Sequence, residues 1–129
     1  MAPSVLLYQA VVVAVKQLGV NTFTPAQDVP GLPAVRIQLV NSNSTNTYMN
    51  AREYRYPFQL DVVTEQDKLV EGLTLAYKIM DVLRKINIAG YYVSADDPSM
   101  NSLVDGSTNE TLNRQMIQVT YSIIEDTAF

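Results

Sequence analysis

The chain has 129 residues, of which 47% are hydrophobic and 17% charged, enough to fill one core and too few for two domains. Nine Lys and Arg against thirteen Asp and Glu give a net charge of −4, which argues against a surface that grips nucleic-acid phosphates. The chain has no His and no Cys, which excludes Ser-His-Asp triads, Cys-His nucleophiles, His- or Cys-ligated zinc and disulfides. We therefore expect no enzymatic activity and no cofactor. From the length, we expect one domain over residues 1–129.

The first predicted element is a helix that begins near Ser4 and ends before Gly19. Its apolar run, Val5–Val15, has eleven residues, whereas a helix that crosses a bilayer needs about 20. No basic residue precedes the run, as a secretory signal would require. The segment is therefore typical of a buried or half-buried helix with Ser4 as N-cap, and no membrane association is expected.

A hairpin is predicted next. Three prolines mark residues 20–34 as loop or extended chain, and the alternation in Val35–Leu39 predicts a strand. The polar tract 41–47 predicts a turn, and a longer alternation over Tyr54–Val62 predicts the second strand. Pro57 has no backbone N–H to donate to a neighbouring strand, so it indicates an edge position or a bulge.

The clearest helical pattern follows the second strand. Thr64-Glu65-Gln66-Asp67 resembles a capping box, and the helix is expected to end near Asn87. Its predicted buried stripe has helical spacing and consists of Leu69, Leu73, Ala76, Met80 and Leu83, widened by Val70, Tyr77 and Ile86. Gly72 inside this helix indicates either close packing against a neighbour or a tolerated defect.

Two more strands are predicted, one starting at Tyr91–Ala95 and one with a clean alternation over residues 116–123, joined by a polar loop over 96–111. The element order is therefore α-β-β-α-β-β. Such an order predicts an α+β fold with a mainly antiparallel sheet and two helices packed on one face.

Acidic residues are the only groups with metal-binding potential. Asp96, Asp97, Asp105 and Glu110 could supply oxygen ligands, but their spacing does not match a calcium loop, which favours a solvated loop. Asp61 is expected on the solvated face of its strand. The tyrosines favour a core edge or a protein interface over base stacking, since the net charge is acidic. They are Tyr48, Tyr54, Tyr56, Tyr91, Tyr92 and Tyr121.

Two segments carry a resemblance to a known family. They are YRYPFQLDVVTEQDKLVEGLTLAYKIMDVLRKI (54–86) and RQMIQVTYSII (114–124). With the first helix and the proline-rich connection, they resemble the tail-terminator, or tail-completion, proteins of long-tailed bacteriophages. The resemblance implies a structural virion protein, commonly a hexameric ring, that caps the tail tube, stops its polymerisation and offers the surface to which the head connector docks.

The resemblance also implies partners and a location. The partners are copies of the chain, the tail tube protein and the head connector protein, and DNA passes through the ring without specific binding. The protein assembles in the host cytoplasm and resides at the neck end of the virion tail. Two alternatives stay open: another phage neck or head–tail connector subunit, and a small carboxylate- or metal-dependent ligand-binding α+β domain.

If the ring exists, two sets of residues are candidates for its surfaces. The candidate lumen acids, which would repel the DNA backbone, are Asp96, Asp97, Asp105 and Glu110. The candidate interface residues are Asn43, Thr45, Tyr48, Arg52, Tyr54 and Arg55.

Overall fold

The sheet is built around two fifteen-residue strands, β4 (Ala51–Glu65) and β7 (Leu112–Asp126), which lie side by side and antiparallel. They pair in unbroken register, from Ala51 opposite Asp126 to Glu65 opposite Leu112. At about 3.4 Å per residue, each strand is roughly 50 Å long. The computed structural model describes residues 2–40, 43–47, 51–105 and 112–126.

Five shorter strands and two helices complete the described chain. Their bounds are α1 (Pro3–Lys16), β1 (Asn21–Phe23), β2 (Ala34–Leu39), β3 (Asn43–Thr47), α2 (Leu69–Leu83), β5 (Tyr92–Ala95) and β6 (Ser99–Asp105). β2 and β3 pair in succession along one side of β4, and β5 and β6 pair in succession along the far side of β7. β1 lies outside β2 and is parallel to it. The described sheet therefore has four antiparallel rows and one short parallel strand.

Both helices pack on the same face of this sheet. The main core joins Leu7, Val11 and Val15 of α1 and Ala76 and Ile79 of α2 to the alternating apolar residues of the strands. The strand residues on this helix-covered face include Val35, Ile37, Phe58, Leu60, Ile117, Val119, Tyr121 and Ile123. The predicted α+β class, with a mainly antiparallel sheet and two helices on one face, is confirmed. The predicted element order holds in outline, with β1, β3 and β6 as additional strands.

The start of α1 differs from the prediction. Ala2 is the N-cap, no side chain caps the helix, and Pro3 occupies the first turn, where its missing N–H costs nothing. Ser4 is therefore inside the helix and is not the cap. Gly19 follows the helix with φ of +83°, a conformation that favours glycine.

Helix α2 is shorter than predicted and buries only part of the predicted stripe. The Thr64 side chain does not cap it, because Thr64 belongs to β4 and is 3% exposed beneath the helix. The buried residues of α2 are Gly72, Ala76, Ile79 and Leu83, whereas Leu69, Val70, Leu73 and Tyr77 are exposed. The helical period was predicted correctly. The predicted stripe is confirmed at Ala76 and Leu83, and Met80 and Ile86 pack against the core, but the centre of the buried face is shifted towards Gly72 and Ile79. Gly72 allows the closest approach of the helix to the sheet.

Gly72 marks that closest approach. A Cβ at this position would lie 3.0 Å from the Thr64 Oγ1 and 3.3 Å from its Cγ2. Of the two interpretations of Gly72, close packing is therefore the correct one.

The hairpin also differs from the prediction. Residues 43–47 of the polar tract form β3 and not the predicted turn, whereas residues 41 and 42 lie outside the described residues. Pro57 lies in the central strand β4, opposite Thr120, and not at a sheet edge. Its carbonyl accepts a hydrogen bond from the Val40 N–H at the junction of β2 and β3. Because the N and C=O of one strand residue point to the same side, the missing N–H falls at this junction and leaves the β4–β7 ladder intact.

Replacing Gly72 with Ala should destabilise the fold by about 1–3 kcal/mol, because overpacking against Thr64 outweighs the gain of about 1 kcal/mol in helix propensity. The double variant Gly72→Ala/Thr64→Ala should lose less unfolding free energy than the two single variants lose in sum. Urea denaturation of the four proteins measures this coupling. Independent, additive effects would contradict the packing argument.

A buried phenol predicts how stability depends on pH. The Tyr121 OH donates to the Leu83 C=O at the end of α2, over 2.6 Å, and burial raises the pKa of Tyr121 well above its ordinary value of 10.0. The folded chain therefore holds this proton more tightly than the unfolded chain does, so stability is complete below about pH 10 and falls as the pH rises further.

Tyr121→Phe should cost about 1–2 kcal/mol at pH 8 by leaving a carbonyl without its partner. Its free energy of unfolding should fall less steeply between pH 9.5 and 11 than that of the natural chain. Urea titrations across this range provide the measurement. If the free energy of unfolding fell equally steeply with pH in both proteins, another group would cause the loss of stability at alkaline pH.

Candidate assembly surfaces

The predicted interface residues on β4 belong to a polar network at one end of the sheet. Arg52 Nη1 donates to the Tyr54 OH over 3.4 Å, and the Tyr54 OH donates to Glu125 Oε2 over 3.2 Å. The hydrogen bond to Tyr54 is the main cause that raises the pKa of Arg52, which is exposed. Arg52 therefore places an exposed positive charge at this end of the sheet.

Two further contacts lie on the opposite face of the same end. Ser122 Oγ donates to Glu53 Oε2 over 2.9 Å, and Arg55 Nη2 lies 3.2 Å from Asp96 Oδ2. The Arg55–Asp96 pair spans β7, since it joins β4 to the residue that follows β5. Of the other predicted interface residues, Asn43 and Thr45 lie on β3, where only the backbone is described, and Tyr48 lies outside the described residues.

The tyrosines divide between core and surface. Tyr121 is fully buried, and its ring meets Phe58 edge-on with centroids 5.7 Å apart. Tyr54 and Tyr56 stack with centroids 6.0 Å apart, and burial raises the pKa of Tyr56, with smaller contributions from Tyr54, Glu125 and Tyr91. Tyr92 on β5 is 72% exposed. These tyrosines therefore serve the core and its margin, except Tyr92, which faces outward at a sheet edge.

The four predicted lumen acids do not share one loop. Residues 99–105 form β6, so the expected loop over 96–111 is wrong. The Asp96 N–H bonds to the Thr120 C=O, whereas Asp105 lies opposite Leu112. Eight residues of β7 separate those two levels, which is about 27 Å along the strand. The side chain of Asp105 and all of Glu110 lie outside the described residues.

Two of these acids are partly neutralised by arginines. Asp96 pairs with Arg55, and Asp97 Oδ1 lies 3.7 Å from Arg84 Nε with its side chain 96% exposed. Exposed pairs of this kind contribute little to stability. Within the described ranges, no group of three acidic side chains is placed to hold a metal ion.

The face opposite the helices carries a buried ion pair. Asp61 is 1% exposed, so the prediction that it lies in solvent is wrong, although it is on the expected face. Arg36 Nη2 donates to Asp61 Oδ2 from the neighbouring strand β2 and covers it, while Asp61 Oδ1 has no hydrogen-bond partner. The next register row presents Gln38, Gln59 and Gln118 across β2, β4 and β7. This face is therefore polar with paired charges.

Two clefts are open on the described surface. The first, about 280 Å³, has apolar walls that include Val20, Leu32 and Leu75 at the start of α2. The second, about 410 Å³, lies on the glutamine-bearing face and includes Asp96 and Asp97. Among the described residues, no hydroxyl of the second cleft is hydrogen-bonded to either carboxylate. This cleft therefore contains carboxylates but no hydroxyl activated by them.

Exposed apolar side chains lie on both outer sides of the sheet and on both helices. Tyr92 lies on β5, Leu103 and Val104 lie on β6, and Val29 and Val40 lie just before and just after β2. The exposed helix residues are Val5 and Val13 on α1 and Leu69, Val70, Leu73 and Tyr77 on α2. Sequence reasoning assigned the α2 residues to the core, since periodicity alone does not tell which apolar stripe faces the sheet. It missed β6 because Ser99–Asp105 alternates only weakly.

The outer sides of the sheet are open strand edges. In the described part of the chain, β5 and β6 pair only with β7, and β3 pairs only with β4. Such edges leave alternate backbone N–H and C=O groups free to pair with another strand.

The chain matches no protein-family model, and no characterised protein matches its sequence significantly. Neither described helix is long and apolar enough to cross a membrane.

Removing the Arg36 guanidinium that pairs with Asp61 should destabilise the protein strongly. Arg36→Met leaves a buried carboxylate without its counter-charge, and we expect a loss of about 3–5 kcal/mol. Arg36→Met/Asp61→Asn should recover part of this loss because the unpaired charge is gone. Chemical denaturation compares the two variants. A double variant as unstable as Arg36→Met would show that the guanidinium acts through packing and not through charge.

Proposed function

We propose that this chain is a structural subunit of a bacteriophage tail that assembles into a ring and terminates the tail tube. The resemblance of segments 54–86 and 114–124 to tail-terminator proteins suggests this role. The structural observation that carries the proposal is that both outer sides of the sheet bear exposed apolar residues, Leu103 and Val104 on β6 and Val29 and Val40 beside β2.

Two different apolar surfaces on one subunit favour head-to-tail association. A ring forms when one surface of a subunit binds a different surface of the next and the rotation closes. Leu103 and Val104 on one outer side and Val29 and Val40 on the other are exposed side chains that such a contact would bury. A subunit that used only one apolar patch would instead favour a two-fold dimer.

The charge distribution fits a conduit that does not hold DNA. The net charge is −4, and the face opposite the helices combines a glutamine row with arginines that are paired to Asp61 and Asp96. A surface without free cationic charge has little attraction for phosphates, so DNA would pass without specific binding. The proposed partners are the tail tube protein and the head connector protein.

Ring formation is tested by mass and by imaging. Light scattering over a concentration series should reveal an assembly near 6 × 14.4 = 86.4 kDa, against 14.4 kDa for one chain. Mixed with tail tubes of the phage that carries the chain, the protein should appear in electron micrographs as a ring at one end of each tube, and tube growth should stop.

Isolated heads of the same phage serve as the control for the alternative role of a head–tail connector subunit. A protein that binds isolated heads but leaves the tubes uncapped and growing would be a head-side connector subunit. A protein that stays at 14.4 kDa and binds neither tubes nor heads would refute the proposal.

A further inference from the structure

We propose that the subunits join edge to edge: the β5–β6 edge (residues 92–105) of one copy pairs with the β3 edge (residues 43–47) of the next, which continues the antiparallel sheet between subunits. This inference rests on the proposed ring and names its contact. The occupant of the β5–β6 edge is thus a second copy of this chain.

Strand direction makes the two edges compatible. β3 is antiparallel to β4, β4 to β7, and β7 to both β5 and β6. The two outer rows of one sheet therefore run in opposite directions. When the next copy is related by rotation about an axis along the strands, its β3 meets β5–β6 antiparallel, which preserves the alternation of the whole sheet.

The free backbone groups can be assigned at β5. The Asp96 N–H points inward to the Thr120 C=O, over 3.0 Å. Because successive strand residues point their backbone groups to opposite sides, the Ala95 N–H points outward, away from β7. A partner strand at this edge would therefore receive a hydrogen bond from Ala95.

The strands of both edges lack the lysines that commonly block pairing of natural edge strands. β3, β5 and β6 contain no Lys, and β6 leaves Leu103 43% and Val104 71% exposed. Among the described residues of these edges, the irregular features are confined to a register shift between Ser44 and Asn46 in β3 and to Pro98 between β5 and β6. Open edge strands with exposed apolar side chains and no lysine are expected where another chain pairs with them.

The charges of the two edges are complementary. Residues 92–105 include Asp96, Asp97 and Asp105 and no basic residue, and Asp97 is almost fully exposed. Residues 37–47 have no acidic residue, and exposed Arg52 lies opposite Thr47 of β3. An edge with three acidic residues thus meets an edge that has none of its own and is bordered on β4 by Arg52, Glu53 and Arg55. Two β5–β6 edges meeting each other would instead bring acids together, which disfavours a two-fold contact.

The absence of cysteine allows a direct test by cross-linking. Single cysteines are placed in β3 (Ser44→Cys, Thr45→Cys or Asn46→Cys) and, in other molecules, in the opposite edge (Val93→Cys, Ser94→Cys, Asn101→Cys or Ser102→Cys). Within one chain the β3 and β5 positions are about 14 Å apart across three strand spacings, and the β6 positions lie farther still along the strands, so none of these pairs can form a disulfide. Oxidation of the assembled mixture should yield disulfides between β3 and β5–β6 molecules at one register.

Other cross-linking patterns would overturn the inference. Disulfides between two β5–β6 molecules would indicate a two-fold contact, and disulfides only with the tube protein would make that protein the occupant. A ring that caps tubes but yields no β3 to β5–β6 disulfide in any combination would refute the edge contact and leave the proposed function standing. Efficient edge disulfides without capping would refute the function and leave the contact.

A proline variant tests the backbone pairing independently. Ala95→Pro removes the outward N–H and should raise the concentration for half-assembly at least tenfold, whereas Ala95→Ser, which keeps the N–H, should assemble like the natural chain. Circular dichroism melting confirms that both variants fold. Normal assembly of folded Ala95→Pro would contradict pairing at β5.

Discussion

The fifteen-residue antiparallel pairing of β4 with β7 supplies the two sides on which all other described strands pair and the face on which both helices pack. Its apolar residues alternate with polar ones, so one face becomes the core and the other stays polar. Pro57 interrupts neither function, because its missing N–H falls where β2 gives way to β3. The length of this pair also leaves room for two short strands in succession on each side.

Packing of α2 links this sheet to the exposed surface. Gly72 lets the helix approach Thr64 closely, and the Tyr121 OH donates to the Leu83 C=O in its last turn. This contact fixes the rotation of the helix about its axis. The same rotation leaves Leu69, Val70, Leu73 and Tyr77 exposed. The apolar surface that we connect with assembly is thus a consequence of how the core packs.

The acidic residues illustrate how far local sequence is from spatial arrangement. Asp96 and Asp105 are nine positions apart in the chain, and a flexible loop would let them converge. Strand β6 extends the segment between them along β7, so their levels differ by about 27 Å. A ligand site made of these acids is disfavoured, whereas charges distributed along an edge suit contact with another subunit.

The sequence by itself determined the α+β class, the two alternating strands that became β4 and β7, the helical periods and the lack of His and Cys chemistry. These properties follow from composition and from periods of 2 and 3.6, which local sequence expresses directly. Only the tertiary structure decided which stripe of α2 is buried, that Asp61 lies beneath Arg36, and that residues 43–47 and 99–105 are strands. The physical reason is that polar segments have little intrinsic preference for the strand conformation. They become strands only when a long neighbouring strand such as β4 or β7 offers them hydrogen-bond partners.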